Sequence, residues 1–230
     1  MKYTTLLFDI DNTILDFEKD EKTALIKTLK ENGLPFDEET TTKYSYFNSI
    51  MWKKFEKGEA TKADIQNNRF RMLIDFLDAK TEKTPREIND MYEVNLRKGG
   101  IPIEGTKEVL DALKKDGYIL YAVTNGLKLS QENRGRHSGI DIYFEKVFIS
   151  ECVGFQKPQK EYFDFVFENI CEKDKSKILL IGDSLTSDIK GAQNAGIDCF
   201  WINPKGAVND ICESPTYEGK HIRDVLDILK

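Results

Sequence analysis

Asp9 and Asp11 stand two apart directly after Leu6-Leu7-Phe8, in the run Asp9-Ile10-Asp11-Asn12-Thr13. The segment Thr4 to Phe8 has the length of one buried strand and is short for a helix. Acids at its end are poor core residues, because unpaired buried charge is costly. Both are expected to emerge at the strand's carboxyl end, where open α/β sheets carry their sites. Alone, the pair reads equally well as a strand-end turn. A calcium-loop reading fails, since Thr13 and Ile14 replace the acid or amide and the glycine that such a loop needs.

Two more polar clusters follow apolar runs, Thr124-Asn125-Gly126 and Gly182-Asp183-Ser184 with Asp188 just beyond, and between them Gly154-Phe155-Gln156-Lys157-Pro158 puts a lysine just before a helix start. In a parallel sheet all of them meet at one edge. Asp9, Asp11, Asp183 and Asp188 would then crowd one crevice. Two such charges ~4 Å apart repel by about 4 kcal/mol at an effective dielectric of 20, so the cluster needs a cation. Oxygen ligands without His or Cys point to magnesium, with manganese as its substitute. Thr124 and Asn125 bring hydroxyl, amide and backbone donors, and Lys157 a positive charge, which makes a phosphoryl-binding set. One aspartate can attack phosphorus. A second carboxyl can protonate the leaving oxygen and later deprotonate water. Singly, each has a plainer reading: a turn at Thr124-Asn125-Gly126, a surface lysine at 157, a first-turn acid favoured by the helix dipole at Asp188.

The elements that must position these residues are legible from spacing. Beyond the first strand, strands are expected at 118–123, 147–149, 177–181 and 197–202. Helices are expected at about 106–116, 128–138 and 188–195, with another opened by Pro158 and carrying Tyr162, Phe163, Val166, Phe167 and Ile170 on one face. This alternation implies a Rossmann-like α/β core, a parallel sheet with helices on both faces. Residues 16–99 read as almost wholly helical, from Tyr44, Phe47, Met51 and Phe55 and from Phe70, Leu73, Ile74 and Leu77. The expected organisation is therefore a core of 1–15 and 100–230 with an inserted helical domain of 16–99. Glu18 to Glu21 and Gly99-Gly100 flank its expected hinges. Tyr44, Tyr46, Phe47, Trp52 and Phe55 read chiefly as packing of the inserted helices. Gln131 and Arg134 read as an exposed helix face.

Composition narrows the class. The chain has 230 residues, 40% hydrophobic, and a net charge of −6, which argues mildly against nucleic acid as a partner. No apolar stretch approaches a membrane span and no secretory signal is visible, so a cytoplasmic protein is expected. The four cysteines lack metal spacing and read as reduced, mostly structural thiols. A glycine-rich dinucleotide loop and a Walker loop are both absent.

The order Asp-x-Asp-x-Thr, Thr-Asn, Lys-Pro, Gly-Asp-Ser-x-x-x-Asp resembles the haloacid dehalogenase superfamily of phosphatases, and the insertion after strand one resembles its C1-type cap. Thr124-Asn125-Gly126 with Gln131 and Arg134, then Ser138-Gly139-Ile140, Ile149-Ser150-Glu151, Gly154 to Pro158 and Gly182 to Gly191 are similar to the pyrimidine 5′-nucleotidase branch. The resemblance implies Asp9 as nucleophile and metal ligand, and Asp11 as general acid/base with its backbone carbonyl on the metal. It implies Asp183 and Asp188 at the metal, and Thr124, Asn125 and Lys157 on the phosphate. It further implies a Mg²⁺-dependent phosphomonoester hydrolase acting on pyrimidine nucleoside monophosphates such as UMP, dUMP and dTMP. The rivals are a phosphatase of sugar phosphates or phosphoglycolate, a haloacid dehalogenase, and a binding protein on the same scaffold.

Overall fold

The computed structural model describes residues 2–229. The chain forms two compact units, one comprising everything up to Phe17 and from Gly100 onward, the other Glu18–Gly99. The first unit is built on β1 (Thr5–Phe8), β2 (Ile119–Thr124), β3 (Lys146–Ile149), β4 (Ile178–Gly182), β5 (Asp198–Ile202) and β6 (Tyr217–Gly219). All pairings are parallel, in the order β3-β2-β1-β4-β5-β6. The run of connections reverses direction between β1 and β4, which is where open sheets open a crevice at their carboxyl ends.

Side chains alternate between the faces of each strand. Leu6 and Phe8 pack with Val109, Leu110 and Leu113 of α5 (Thr106–Lys115) and with Val225 of the short α10 (Val225–Ile228). Leu7 faces the other way, onto Tyr162, Phe163 and Val166 of α8 (Lys160–Glu168) and Ala192 and Ala195 of α9 (Lys190–Ala195). α6 (Lys128–Ser138) follows β2, and α7 (Ser150–Val153) follows β3.

Three details depart from expectation. β6 is an addition: Tyr-Glu-Gly is too short to show alternation, and it is specified by pairing with β5. α8 starts at Lys160 instead of Pro158, because Gln159 is extended and its N–H closes a turn onto Gln156. The expected helix at 188–195 opens as a π turn over Leu185–Ile189 before α9 begins. Of the cysteines only Cys199 is buried; Cys152 and Cys171 are exposed and fill no core.

The second unit comprises α1 (Phe17–Glu31) from its second residue onward, α2 (Glu38–Glu56), α3 (Lys62–Leu77) and α4 (Pro85–Leu96). Thr61 with Asp64 and Thr84 with Glu87 close capping boxes at the starts of α3 and α4. Tyr44, Phe70 and Tyr92 stack in its core, with centroids 4.9–5.5 Å apart. Phe55 is buried against Trp52, while Tyr46 is exposed. Beside the rings lies a buried polar network. Arg69 donates to Asn89 at 2.6 Å and to Glu93 at 3.2 Å, and Glu21 accepts from Ser45 and Asn48, both at 2.7 Å.

Burial raises the Glu21 carboxyl above its ordinary 4.5, and the bonds from Ser45 and Asn48 and the charge of Arg69 offset only part of this. The folded chain therefore holds that proton more tightly than the unfolded chain does. Stability from this group is lost as pH rises above 4.5 through the raised value. Glu21→Gln is expected to gain in Tm relative to the parent as pH climbs through that window, by about 2–4 °C per kcal/mol. Thermal melts from acid to neutral pH read this directly, and a pH-independent difference would contradict it.

Candidate active site

Three strand ends and the loop after α7 deliver the site. Asp9 directly continues β1, and its N–H donates to the Ile181 carbonyl at 2.9 Å, so the ladder itself fixes the residue. The chain then turns tightly. Ile14 and Leu15 donate back to the Ile10 carbonyl, and Asn12 sits at φ 60, a left-handed conformation that Asn accepts better than most non-glycine residues. Thr124 ends β2; it is buried and its hydroxyl accepts from the Gly126 N–H. Asp183 follows β4, its carbonyl held by the Trp201 indole N–H at 2.8 Å.

Lys157 is the hub. Only 1% of its side chain is exposed, and its Nζ donates to Asp9 Oδ1 at 2.6 Å, Asp188 Oδ1 at 2.6 Å and the Val123 carbonyl at 2.9 Å. The surface reading of this lysine is thereby excluded. Its backbone is pinned by Asn125, whose side chain donates to the Lys157 carbonyl and accepts from the Lys157 N–H, both at 2.9 Å. The Asn125 amide thus builds the loop that presents Lys157.

Asp188 is fully buried, with Oδ1 on Lys157 and Oδ2 accepting from the Ser184 N–H. It is therefore no dipole-serving acid on a solvent-facing first turn. The π turn aims it: Asp188 and Ile189 both donate to the Ser184 carbonyl, which swings the carboxylate under the end of β4. Only glycine at 182 permits this, because a Cβ there would overlap the Asp188 carboxylate. Gly182→Ala is expected to lower stability by about 1–3 kcal/mol. Denaturant unfolding measures it, and an unchanged midpoint would contradict the placement.

Asp9, Asp183 and Asp188 each offer a carboxylate oxygen within 4.8 Å of the others. Burial and mutual repulsion raise Asp183 well above the ordinary range. Burial chiefly, then Asp188 and Asp11, push Asp9 up to about 7 against the pull of Lys157. Burial disfavours the Lys157 ammonium, but Asp188 and Asp9 outweigh it and the lysine is held charged. One lysine against three crowded carboxylates leaves negative charge in excess. An all-oxygen, charge-rich set of this kind fits a hard divalent cation.

The Asp11 carboxylate is not in that trio. It accepts from Gln131 Nε2 at 2.7 Å and from Arg134 Nη1 at 2.6 Å, and both donors are buried. The expectation of an exposed helix face at Gln131 and Arg134 is wrong. α6 turns Ser130, Gln131, Arg134 and Ser138 inward, a wholly polar face that hydrophobic periodicity could not reveal. The spacing 130, 134, 138 on one helix side was the available signal.

The model of a haloacid dehalogenase-like hydrolase matches residues 3–196. The chain is 39% identical to pyrimidine 5′-nucleotidase PynA of Streptococcus pneumoniae, over 100% of this chain and 96% of that protein. It is 28% identical to pyrimidine 5′-nucleotidase YjjG of Escherichia coli, over 100% and 99%. The magnesium-bound crystal structure of YfnB from Bacillus subtilis superposes with a TM-score of 0.91 at 38% identity, covering 100% of this chain and 99% of that one.

Proposed function

This chain belongs to the haloacid dehalogenase-like hydrolases, and from that premise we propose that it is a magnesium-dependent 5′-nucleotidase of pyrimidine nucleoside monophosphates. Hydrolases of this family generally use Mg²⁺. The observation that carries the reaction is the buried Asp9–Lys157–Asp188 chain opening onto Asp183 at the sheet's switch point. The substrate class rests on the end-to-end similarity, helical unit included, to two proteins named for that activity.

Asp9 attacks phosphorus through a carboxylate oxygen. The bond from phosphorus to the ester oxygen breaks, and Asp11 gives that oxygen a proton. Water then attacks the aspartyl phosphate, Asp11 takes a proton from the water, and the bond from phosphorus to Asp9 breaks to free phosphate. Lys157 offsets the charge of Asp9 throughout, and Thr124 with the backbone of the Asn125 loop holds the phosphoryl oxygens. Asp9, Asp183 and Asp188, with the Asp11 carbonyl, would hold magnesium, which supplies charge neutralisation to the phosphoryl group. Asp188 also fixes Lys157. No helix among the described residues is long and apolar enough to cross a membrane.

The decisive assay is phosphate release by purified protein from UMP, dUMP and dTMP against sugar phosphates and phosphoglycolate, with magnesium and after chelation. The expected outcome is a preference for the nucleotides and loss of activity on chelation. Higher kcat/KM for sugar phosphates would overturn the substrate class, and full activity after chelation would overturn the metal.

A further inference from the structure

Gln131 and Arg134 lie one helical turn apart on α6, and each takes one oxygen of Asp11. Neither reaches Asp11 by accident of the surface. Arg134 is fully buried, and Gln131 is 3% exposed. Gly126 is shaped around the same contact, since a Cβ there would overlap the Gln131 side chain. The loop after β2 therefore leaves a gap through which Gln131 passes to Asp11.

Arg134 has a second set of neighbours. Its guanidinium lies over the Phe17 ring, 5.3 Å from the centroid. Its backbone carbonyl is packed against Gly100, where a Cβ would come within 2.5 Å of it and where φ is +122°. Phe17 is the last residue of the sheet unit before the chain leaves it, and Gly100 is the first after the chain returns. One residue thus touches Asp11 and both points at which the chain crosses out of the sheet unit.

We propose that Gln131 and Arg134 are positioning residues for Asp11, and that Arg134 makes the placement of Asp11 depend on the two crossings. The inference rests on the reading of Asp11 as the general acid/base. Movement at Phe17 or Gly100 is transmitted through a buried guanidinium to the group that handles the proton. Gln131 holds the second oxygen and so fixes the rotation of the carboxyl plane.

Leaving-group dependence tests this. An alkoxide such as the nucleoside 5′-oxygen needs a proton to depart, whereas p-nitrophenolate departs without one. First-turnover release from UMP and from p-nitrophenyl phosphate is compared for Asp11→Asn, Gln131→Leu, Arg134→Met, Arg134→Lys and Phe17→Leu. The expected result is that Asp11→Asn, Gln131→Leu and Arg134→Met each slow UMP more than p-nitrophenyl phosphate, by about tenfold or more. Arg134→Lys, which keeps a cation beside Asp11, shows a smaller skew than Arg134→Met, and Phe17→Leu shows it in weaker form. Equal losses on both esters for the Gln131 and Arg134 variants, with the skew intact in Asp11→Asn, overturn the positioning role alone. A skew at Arg134 but none at Phe17 overturns the link to the crossings. Absence of a skew in Asp11→Asn overturns the underlying reading of Asp11 instead. If Arg134→Met does not fold, Gln131→Leu and Arg134→Lys decide.

Discussion

Asp9→Asn is expected to abolish turnover while making the metal-free protein more stable. The activity loss should be on the order of 10⁴-fold or more, the scale on which removing a nucleophile acts. No phosphorylated protein should be trapped on acid quench. The stability gain follows from the opposite side of the same design. Burial and the neighbouring carboxylates hold Asp9 at about 7 in the folded chain, against an ordinary 3.8. Between those values the folded state binds a proton that the unfolded state has released, so stability falls as pH rises through the window. An uncharged Asn of the same shape removes that loss, worth on the order of a few kcal/mol at neutral pH. Phosphate release and chelator-treated thermal melts together read the prediction. A variant that is inactive and less stable would mean the site had collapsed, and one retaining a hundredth of the activity would remove Asp9 from the nucleophile's role.

Lys157→Met should lose both activity and stability. Methionine fills much of the lysine's volume but leaves the Asp9 and Asp188 carboxylates facing each other in a buried site. Removing one partner of a buried ionic cluster typically costs about 3–5 kcal/mol, because the remaining charge is uncompensated. The Asp9 carboxyl would also rise further, since Lys157 is the largest influence holding it down. Less of the nucleophile would then be ionised at neutral pH, adding to the loss from the missing positive charge. Magnesium should restore part of the stability, because it replaces the lost cation. Denaturant midpoints with and without the ion, together with kcat, measure this. A midpoint equal to the parent's would show that Lys157 does not neutralise the cluster.

Much of this site is legible in the sequence. Asp9 and Asp183 were legible because acids directly after apolar strands have few places to go but the strand end. The parallel order followed from alternation of strand and helix. The burial of Lys157 was not legible, since it depends on a carbonyl of β2 and a carboxylate beyond β4, both far away in sequence. Asp188 was found as an acid but not as a residue aimed by a π turn, because one extra residue per turn leaves no mark in composition. Asn125 was read as a phosphate donor, and its second task, bracing the Lys157 backbone through its side-chain amide, was not legible because Lys157 lies 32 residues away. The inward face of α6 was missed for the reason that makes it useful: it is built from polar residues alone.

The two crossings carry one more consequence. Leu15 bridges Pro102, and the Asp16 N–H donates to the Ile101 carbonyl at 2.8 Å, so the chain leaves the sheet unit and rejoins it at adjacent points. An insertion whose ends are already side by side adds little closure cost, and domains accept guests most readily at such places. The helical unit has its own aromatic core and its own helix caps. It is in effect a self-contained guest: its packing and its helix ends are satisfied within residues 18–99, and the sheet unit needs only two adjacent strand-side segments to host it.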